Sequence, residues 1–484
     1  MSDLTPIEAF SQTASTNPQK IAFRSNDVSI GYGQALTQIR KFAAYLEKRG
    51  VRPGDLVLTM LPPRIDWYVV LALHSMGVTS CSGHSQIPSH IQFDWVLVLK
   101  PKYEFPMSKQ IIVDGAFLNE VGKSPERIET PNKDPDHLVR LVLTSGTTGS
   151  SKAVPVALGK LGARHDRNEF NSPTDGKVAV TLMGIGSVSG GNRIFYNAWS
   201  GSYFVTPADR GDWKSWVELV SKARPFQLGG SPVQLESFFA TARQQRVRFD
   251  FLGRISSAGT VFPNVLAERI GTLTKAPIVS VYGSTEAGQV ASKQVGATSD
   301  PFELGEIQKD VEYQIVDEHG NSVPEGTIGN LRVKTVTMAT EYFMDPESTS
   351  KYFKDGWFYP GDEAFIGENG RVFIAGRTSE FVNAGGVKID PTEVDQAITR
   401  LTEIRDGAAF GVENSSGNVL LALGFVPEPG FDAKAALEKL KSRLKGKHPT
   451  VAFKVSEIPR NEMGKVMRHK LKGMVTDVRP DATL

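Results

Sequence analysis

Apolar positions along the chain switch between two spacings. Leu36, Ile39, Ala43 and Leu46 recur on one helical face before Gly50, and the continuous apolar run 56–61 predicts a buried strand. Residues 67–76 predict another packed helix and 95–99 another strand. Short strands are predicted at 177–183, 203–206, 255–257 and 278–281, with helices at 216–223 and 233–244 between them. This alternation predicts a large α/β region whose loops gather at strand ends.

From about Glu312 the pattern changes. Runs 313–316, 328–333 and 370–374 predict short strands separated by acidic and glycine-rich turns, among them Asp317-Glu318-His319-Gly320-Asn321. His319 is accordingly a turn residue rather than a base. A boundary falls near Gly376-Arg377-Thr378-Ser379-Glu380. Beyond it, a helix at 393–401, strands at 407–412, 419–426 and 451–455, and an amphipathic helix carrying Ala435, Leu437, Leu440 and Leu444 predict a compact α+β unit. No long Pro/Gly linker separates the two regions, so movement between them would have to occur at a short hinge.

Composition narrows the class. The 484-residue chain is too long for one ordinary domain, and no apolar run approaches a membrane span. With no basic segment and apolar stretch at the N-terminus to suggest a secretory signal, the expected compartment is the cytoplasm. A single cysteine, Cys81, excludes an intramolecular disulfide framework. Lys+Arg 55 against Asp+Glu 53 gives a net charge of +2, which does not suggest a nucleic-acid-binding surface.

Candidate chemistry sits at the ends of predicted strands. The run 138–143 leads into Thr144-Ser145-Gly146-Thr147-Thr148-Gly149-Ser150-Ser151-Lys152. Small residues let backbone N–H groups converge, hydroxyls add donors and Lys152 adds charge, a composition suited to polyphosphate. The spacing is not GxxxxGK[ST], so it is not the standard ATPase loop; a Ser/Thr/Gly-rich surface turn is the alternative. Tyr282-Gly283-Ser284-Thr285-Glu286 follows another strand-like run. Tyr282 offers a flat face for a base, Thr285 a hydroxyl for phosphate, and Glu286 an oxygen ligand for Mg²⁺ held largely by phosphates. In Gly356-Trp357-Phe358-Tyr359-Pro360-Gly361-Asp362, Asp362 can accept from two ribose hydroxyls; nearby Arg377 adds a ribose or phosphate contact or else an interdomain ion pair. Lys465, after Gly464 in a polar tail, is either a surface lysine or a charge that reaches a separate nucleotide site.

These stretches, in this order over nearly the whole chain, resemble the ANL superfamily of adenylate-forming enzymes, which contains acyl- and aryl-CoA synthetases, peptide-synthetase adenylation domains and luciferases. The resemblance implies an α/β fold: a large, multi-subdomain N-terminal domain with mixed sheets over 1–376, and a small, mobile α+β C-terminal domain over 377–484. It implies that Lys465, Thr285 and Glu286 serve catalysis, with Glu286 as the Mg²⁺ ligand. Thr144, Ser145, Gly146, Thr147, Thr148, Gly149, Lys152, Ser257, Ala258, Gly259, Tyr282, Gly283, Asp362 and Arg377 would bind the nucleotide side. Gly385 and Gly386 would approach a thiol channel after rotation about the hinge. The implied cofactors are ATP, Mg²⁺ and coenzyme A.

The chain departs from the family's pattern in places. Ser151 and Ala153 replace the usual proline and glycine of the phosphate loop, and Ser379 replaces a common hinge aspartate or lysine. The segment 183–191, where the family often has an aromatic residue and histidine, is small and reads as flexible. That leaves either room for a bulky acid or space that neighbouring side chains fill. The acyl pocket is expected to draw on 184–193, 229–232, 257–260 and 280–283. Arg193 there either recognises a second anionic group or makes a structural pair.

The expected activity is a carboxylate–CoA ligase: a small-molecule carboxylate, aromatic or compact, is adenylated by ATP and passed to CoA. The alternative acceptor is the phosphopantetheine of a separate carrier protein, and a nucleotide-responsive scaffold without turnover is a third reading. The sequence does not choose the acid, the acceptor or the oligomeric state.

Overall fold

A computed structural model describes residues 4–83, 87–144, 151–167, 177–296, 299–377, 380–384, 387–401, 403–413, 419–444, 446–461, 464–475 and 479–484. The expected loop positions Ser145, Gly146, Thr147, Thr148 and Gly149, and the pair Gly385 and Gly386, lie outside the described residues.

The first six-stranded sheet runs in spatial order Gln110–Ile112, Trp95–Val98, Leu56–Met60, Thr79–Ser82, Leu138–Thr144, Lys152–Ala157. All neighbouring pairs are parallel except the last, where Thr144 faces Lys152 in an antiparallel register. The helices Tyr32–Lys48 and Pro63–Ser75 bury apolar faces in one core with Trp67 and Phe195. Cys81 is wholly buried in the strand Thr79–Ser82.

The second sheet orders Ala179–Thr181, Gln227–Gly230, Arg254–Ala258 and Ile278–Ser284 in parallel, then adds Gly288–Gln294 and Glu306–Ile307 antiparallel. The helices Trp213–Ala223 and Pro232–Gln244 contribute to its separate core. A third sheet contains Glu312–Val316, Gly329–Lys334, Asp362–Ile366 and Val372–Arg377. The strand expected at 370–374 starts later because Gly370 closes a 3₁₀ turn.

After Glu380 the chain builds an α+β unit. Ile404–Glu413, Val419–Pro427, Val451–Lys454 and Ala482–Thr483 form a four-stranded sheet, with the helices Pro391–Ile398, Ala433–Leu444 and Arg468–Val475 packed on it. Its two apolar clusters contain no residue before Val382. The architecture is therefore a large α/β unit with mixed sheets and a smaller α+β unit. Among the described residues no helix is long and apolar enough to cross a membrane.

One expectation is corrected here. The small-residue segment 183–191 is loop only as far as Ser187: from Val188 it enters the helix Val188–Ser200. The Ser187 hydroxyl caps that helix by accepting from the Gly190 N–H at 3.0 Å. A Cβ on Gly191 would lie 1.5 Å from an Arg140 guanidinium nitrogen, so the missing side chain is space that Arg140 fills.

Candidate active site

The functional side chains converge because strand ends of the sheets approach one another and the C-terminal unit docks beside the second of them, at Ser231 and Val233. Thr144 ends its strand and Lys152 begins the next, their backbones in register and the Thr144 hydroxyl donating to the Lys152 carbonyl at 3.4 Å. Lys152 is buried, its ammonium 3.5 Å from the ring centroid of Tyr352 and 4.9 Å from that of Tyr342. Both aromatic faces attract the cation.

Tyr342 connects this lysine to the expected metal ligand, since its hydroxyl donates to Glu286 Oε1 at 2.7 Å. Burial, then the Glu286 charge and this hydrogen bond, raise the Tyr342 phenol above its ordinary range, so it stays a donor. Thr285 and Glu286 occupy the three-residue turn between Ile278–Ser284 and Gly288–Gln294. Buried Arg164 holds that turn from behind, donating to the Thr285 carbonyl at 2.9 Å. Glu286 itself is buried at the side, with no described partner for Oε2.

Tyr282, four residues earlier, donates its hydroxyl to Asp362 Oδ2 at 2.6 Å. The Arg377 Nε pairs with Asp362 Oδ1 at 2.9 Å, directly across paired strands. The structure contains an ion pair of Arg377, within one sheet rather than between the two units. The Asp362 charge raises the Arg377 pKa against the effect of burial, while burial and the Asp362 charge push Tyr282 well up. Among the described residues the buried carboxylate thus has one protein donor on each oxygen, with a lone pair remaining on each.

Lys465 arrives from the other unit. Asn461 ties down the turn that carries Lys465: its carbonyl accepts from the Gly464 N–H at 2.8 Å and its Oδ1 from the Lys465 N–H at 2.9 Å. Gly464 takes φ 76°, and a Cβ there would stand 2.9 Å from Val233 Cβ and 3.3 Å from Ser231 Oγ. The lysine turn therefore rests on the start of the helix Pro232–Gln244. The Lys465 ammonium pairs with Glu380, which Arg468 also contacts at 3.6 Å. Burial, then the Arg377 charge, lowers the Lys465 pKa, with Glu380 opposing. Burial alone would raise Glu380, but Lys465 and Arg468 more than offset it.

Beside this convergence lies a narrow cleft whose empty space, open mouth included, is about 310 Å³. Met183, Arg193, Gly229, Ser257, Ala258 and Val281 are among its lining residues, so each stretch expected to form an acyl pocket contributes. Ser257 and Ala258 end their strand and Gly259, at φ 104°, turns the chain away. Gly283 sits in the hairpin, where a Cβ would meet the Gly288 carbonyl oxygen at 2.2 Å.

The structure thus gathers Lys152, Glu286, Tyr282, Asp362, Arg377 and Lys465 around strand ends next to one cleft. Sequence reasoning missed Arg164, Tyr342 and the pairing role of Glu380. Arg164 and Tyr342 stand apart from any motif and reach the site only through tertiary packing. Glu380 had a signal in its place at the unit boundary, two residues before a buried apolar position.

Strand-end loops of a large α/β unit facing a lysine carried by a small α+β unit define the class of adenylate-forming proteins. Residues 10–90 and 94–343 match the AMP-binding enzyme family, and the chain belongs to that family, within the ANL superfamily of adenylate-forming enzymes. It is 26% identical over 513 aligned positions to a 4-chlorobenzoate–CoA ligase of Arthrobacter sp, covering 97% of this chain and 95% of that protein. It is also 26% identical to a fatty acid–[acyl-carrier-protein] ligase, MmaC, of Mycobacterium marinum over 99% of both. The anthranilate CoA ligase AuaEII, solved with anthranoyl-AMP, superposes with a TM-score of 0.85 at 19% identity over 97% of both chains.

Proposed function

We propose that the protein is a cytoplasmic, ATP-dependent carboxylate–CoA ligase for an aromatic or compact acid. In the first half-reaction the carboxylate attacks the α-phosphate of ATP and pyrophosphate leaves; in the second a thiol displaces AMP from the acyl-adenylate. The observation that carries this reading is the docking of the Lys465 turn on Ser231 and Val233, beside the cleft and the Tyr282–Asp362–Arg377 chain. Lys465 would leave Glu380 to stabilise charge on the carboxylate and α-phosphate as the first bond forms.

The remaining roles follow from the same geometry. Asp362 has acceptor capacity for ribose hydroxyls, and Tyr282 is held in place by donating to it. The Glu286 oxygen not used by Tyr342 suits a metal held mainly by phosphates, where Mg²⁺ would supply charge neutralisation. The residues present therefore fit ATP and Mg²⁺. Residues 1–376 and 377–484 would act as separate bodies, rotation at 376–380 replacing the lysine turn with the 385–386 region and admitting CoA.

The likeness to 4-chlorobenzoate–CoA ligase favours CoA and a compact aromatic acid, whereas the likeness to MmaC supports a carrier-protein acceptor as the second reading. A screen of carboxylates for acid-dependent pyrophosphate exchange tests adenylation. Comparing CoA with carrier proteins as acceptors then separates the two readings. ATP binding without acid-dependent exchange over a broad panel would reject the ligase.

A further inference from the structure

Arg193, on the helix Val188–Ser200, retains only 6% exposure. It lines the narrow cleft with Thr181, Ser189, Gln227 and Ser257. Half-buried Arg377 and Arg468 pair with Asp362 and Asp395. Of the two other buried arginines among the described residues, Arg164 donates to backbone carbonyls and Arg140 to the Ile185 carbonyl, although each leaves one nitrogen without a hydrogen-bond partner. Among the described residues Arg193 pairs with no carboxylate, and its Nε is buried without a hydrogen-bond partner. It lies 5.8 Å from the Tyr196 ring centroid. His165, close enough for the two charges to interact, offers no counter-charge.

A buried, unmatched guanidinium is costly unless something supplies the missing acceptors. Burial accordingly lowers Arg193 to about 10, which leaves it charged at neutral pH. The Ser257 hydroxyl, in the same cleft, is also buried without a partner. Two unmet donors from facing elements thus border one small cleft. Guanidinium geometry matches a carboxylate through two parallel hydrogen bonds, a match no neutral substituent reproduces.

We propose that the acid activated here carries a second anionic group, most simply a second carboxylate, which Arg193 receives with Ser257 as an additional donor. The proposal rests on the reading of the cleft as the acyl pocket. Arg193 would then be a specificity-determining residue, and the preferred substrate a compact dicarboxylate whose other carboxylate is adenylated.

The test compares matched acids in pyrophosphate exchange by the full chain: aromatic and short aliphatic dicarboxylates against their half-amides and half-methyl esters. The wild-type protein is expected to favour the dicarboxylate by at least about tenfold in kcat/KM, because the neutral partner leaves Arg193 unmatched. Arg193→Gln should lower kcat/KM for the dicarboxylate about tenfold more than for the neutral acid, mostly through KM, and Arg193→Lys should recover part of the difference. Equal use of both acids by the wild type, or preference for the neutral one, overturns the proposal even where no Arg193 variant folds. So does an equal loss for both acids in a folded Arg193→Gln. Exchange confined to monoacids refutes the second anion while the ligase stands; exchange with no acid refutes the ligase as well.

Discussion

Lys465 is held by Glu380 rather than left in solvent, and that pairing sharpens what its removal should do. If the ammonium leaves Glu380 to meet charge that develops in the transition state, Lys465→Ala should cut single-turnover adenylate formation by about a hundred- to a thousandfold, with ATP affinity little changed. Adenylation by a folded variant at near the wild-type rate would end that assignment. Glu286→Gln keeps the shape that accepts from Tyr342 but removes the charge a metal needs, so it should raise the Mg²⁺ concentration required for turnover. An unchanged magnesium titration would remove Glu286 from the metal site. For Asp362, asparagine is the better replacement, because alanine would leave half-buried Arg377 and Tyr282 both without their acceptor. Asp362→Asn should weaken ATP binding in an equilibrium titration; unchanged affinity would count against ribose contact. The sequence singled out these three positions because Asp362 and Lys465 each follow a glycine and Glu286 lies in a short stretch between Gly283 and Gly288. Arg164 and Tyr342 were not, because each acts on a segment more than fifty positions away.

At the scale of elements, legibility followed burial pattern. The helices Tyr32–Lys48 and Trp213–Ala223 have a clear apolar face, and the sequence pattern finds both. The helix Pro6–Thr16 was missed although Pro6 opens it and the Glu8 side chain accepts from the Thr5 N–H at 2.9 Å, a capping signal readable from residue types alone. The helix Val188–Ser200 was hidden for the opposite reason. Its first turn is built of small residues, and Arg140 from another strand, not a local partner, takes their space. The same packing sets an acid sensitivity. His74, on the helix Pro63–Ser75, is buried edge-on against Phe195, and burial lowers its pKa to about 3. The folded state holds this imidazole neutral, so its contribution is fully present above the unfolded pKa of about 6.5 and is lost as pH falls from there towards 3. Each pH unit in that window removes up to about 1.4 kcal/mol. His74→Met should therefore flatten the fall in melting temperature between pH 7 and pH 5. An identical slope in the variant would place the acid-sensitive group elsewhere.

At the scale of the whole molecule, the two units share few strict requirements, and Gly464 is one of them. Its φ of 76° suits glycine, and the missing Cβ is what lets the lysine turn lie against Val233 and Ser231. A side chain at this point must push the turn away from the large unit, carrying Lys465 with it. If adenylation uses this contact and thiolation uses a rotated arrangement, the two half-reactions should respond differently to one substitution. Gly464→Val is expected to depress adenylate formation by about a hundredfold or more, comparable to losing the lysine contact itself. Thioester production from pre-formed acyl-adenylate should fall far less, because that step no longer depends on the Lys465 turn. Valine also strains the positive φ, so a melting curve must first establish that the α+β unit remains folded. With folding intact, equal losses in both half-reactions would mean that the glycine serves only the turn. A selective loss of the first would mean that the contact seen here is the adenylating one, and that the small unit must leave it before the thiol can reach the carbonyl.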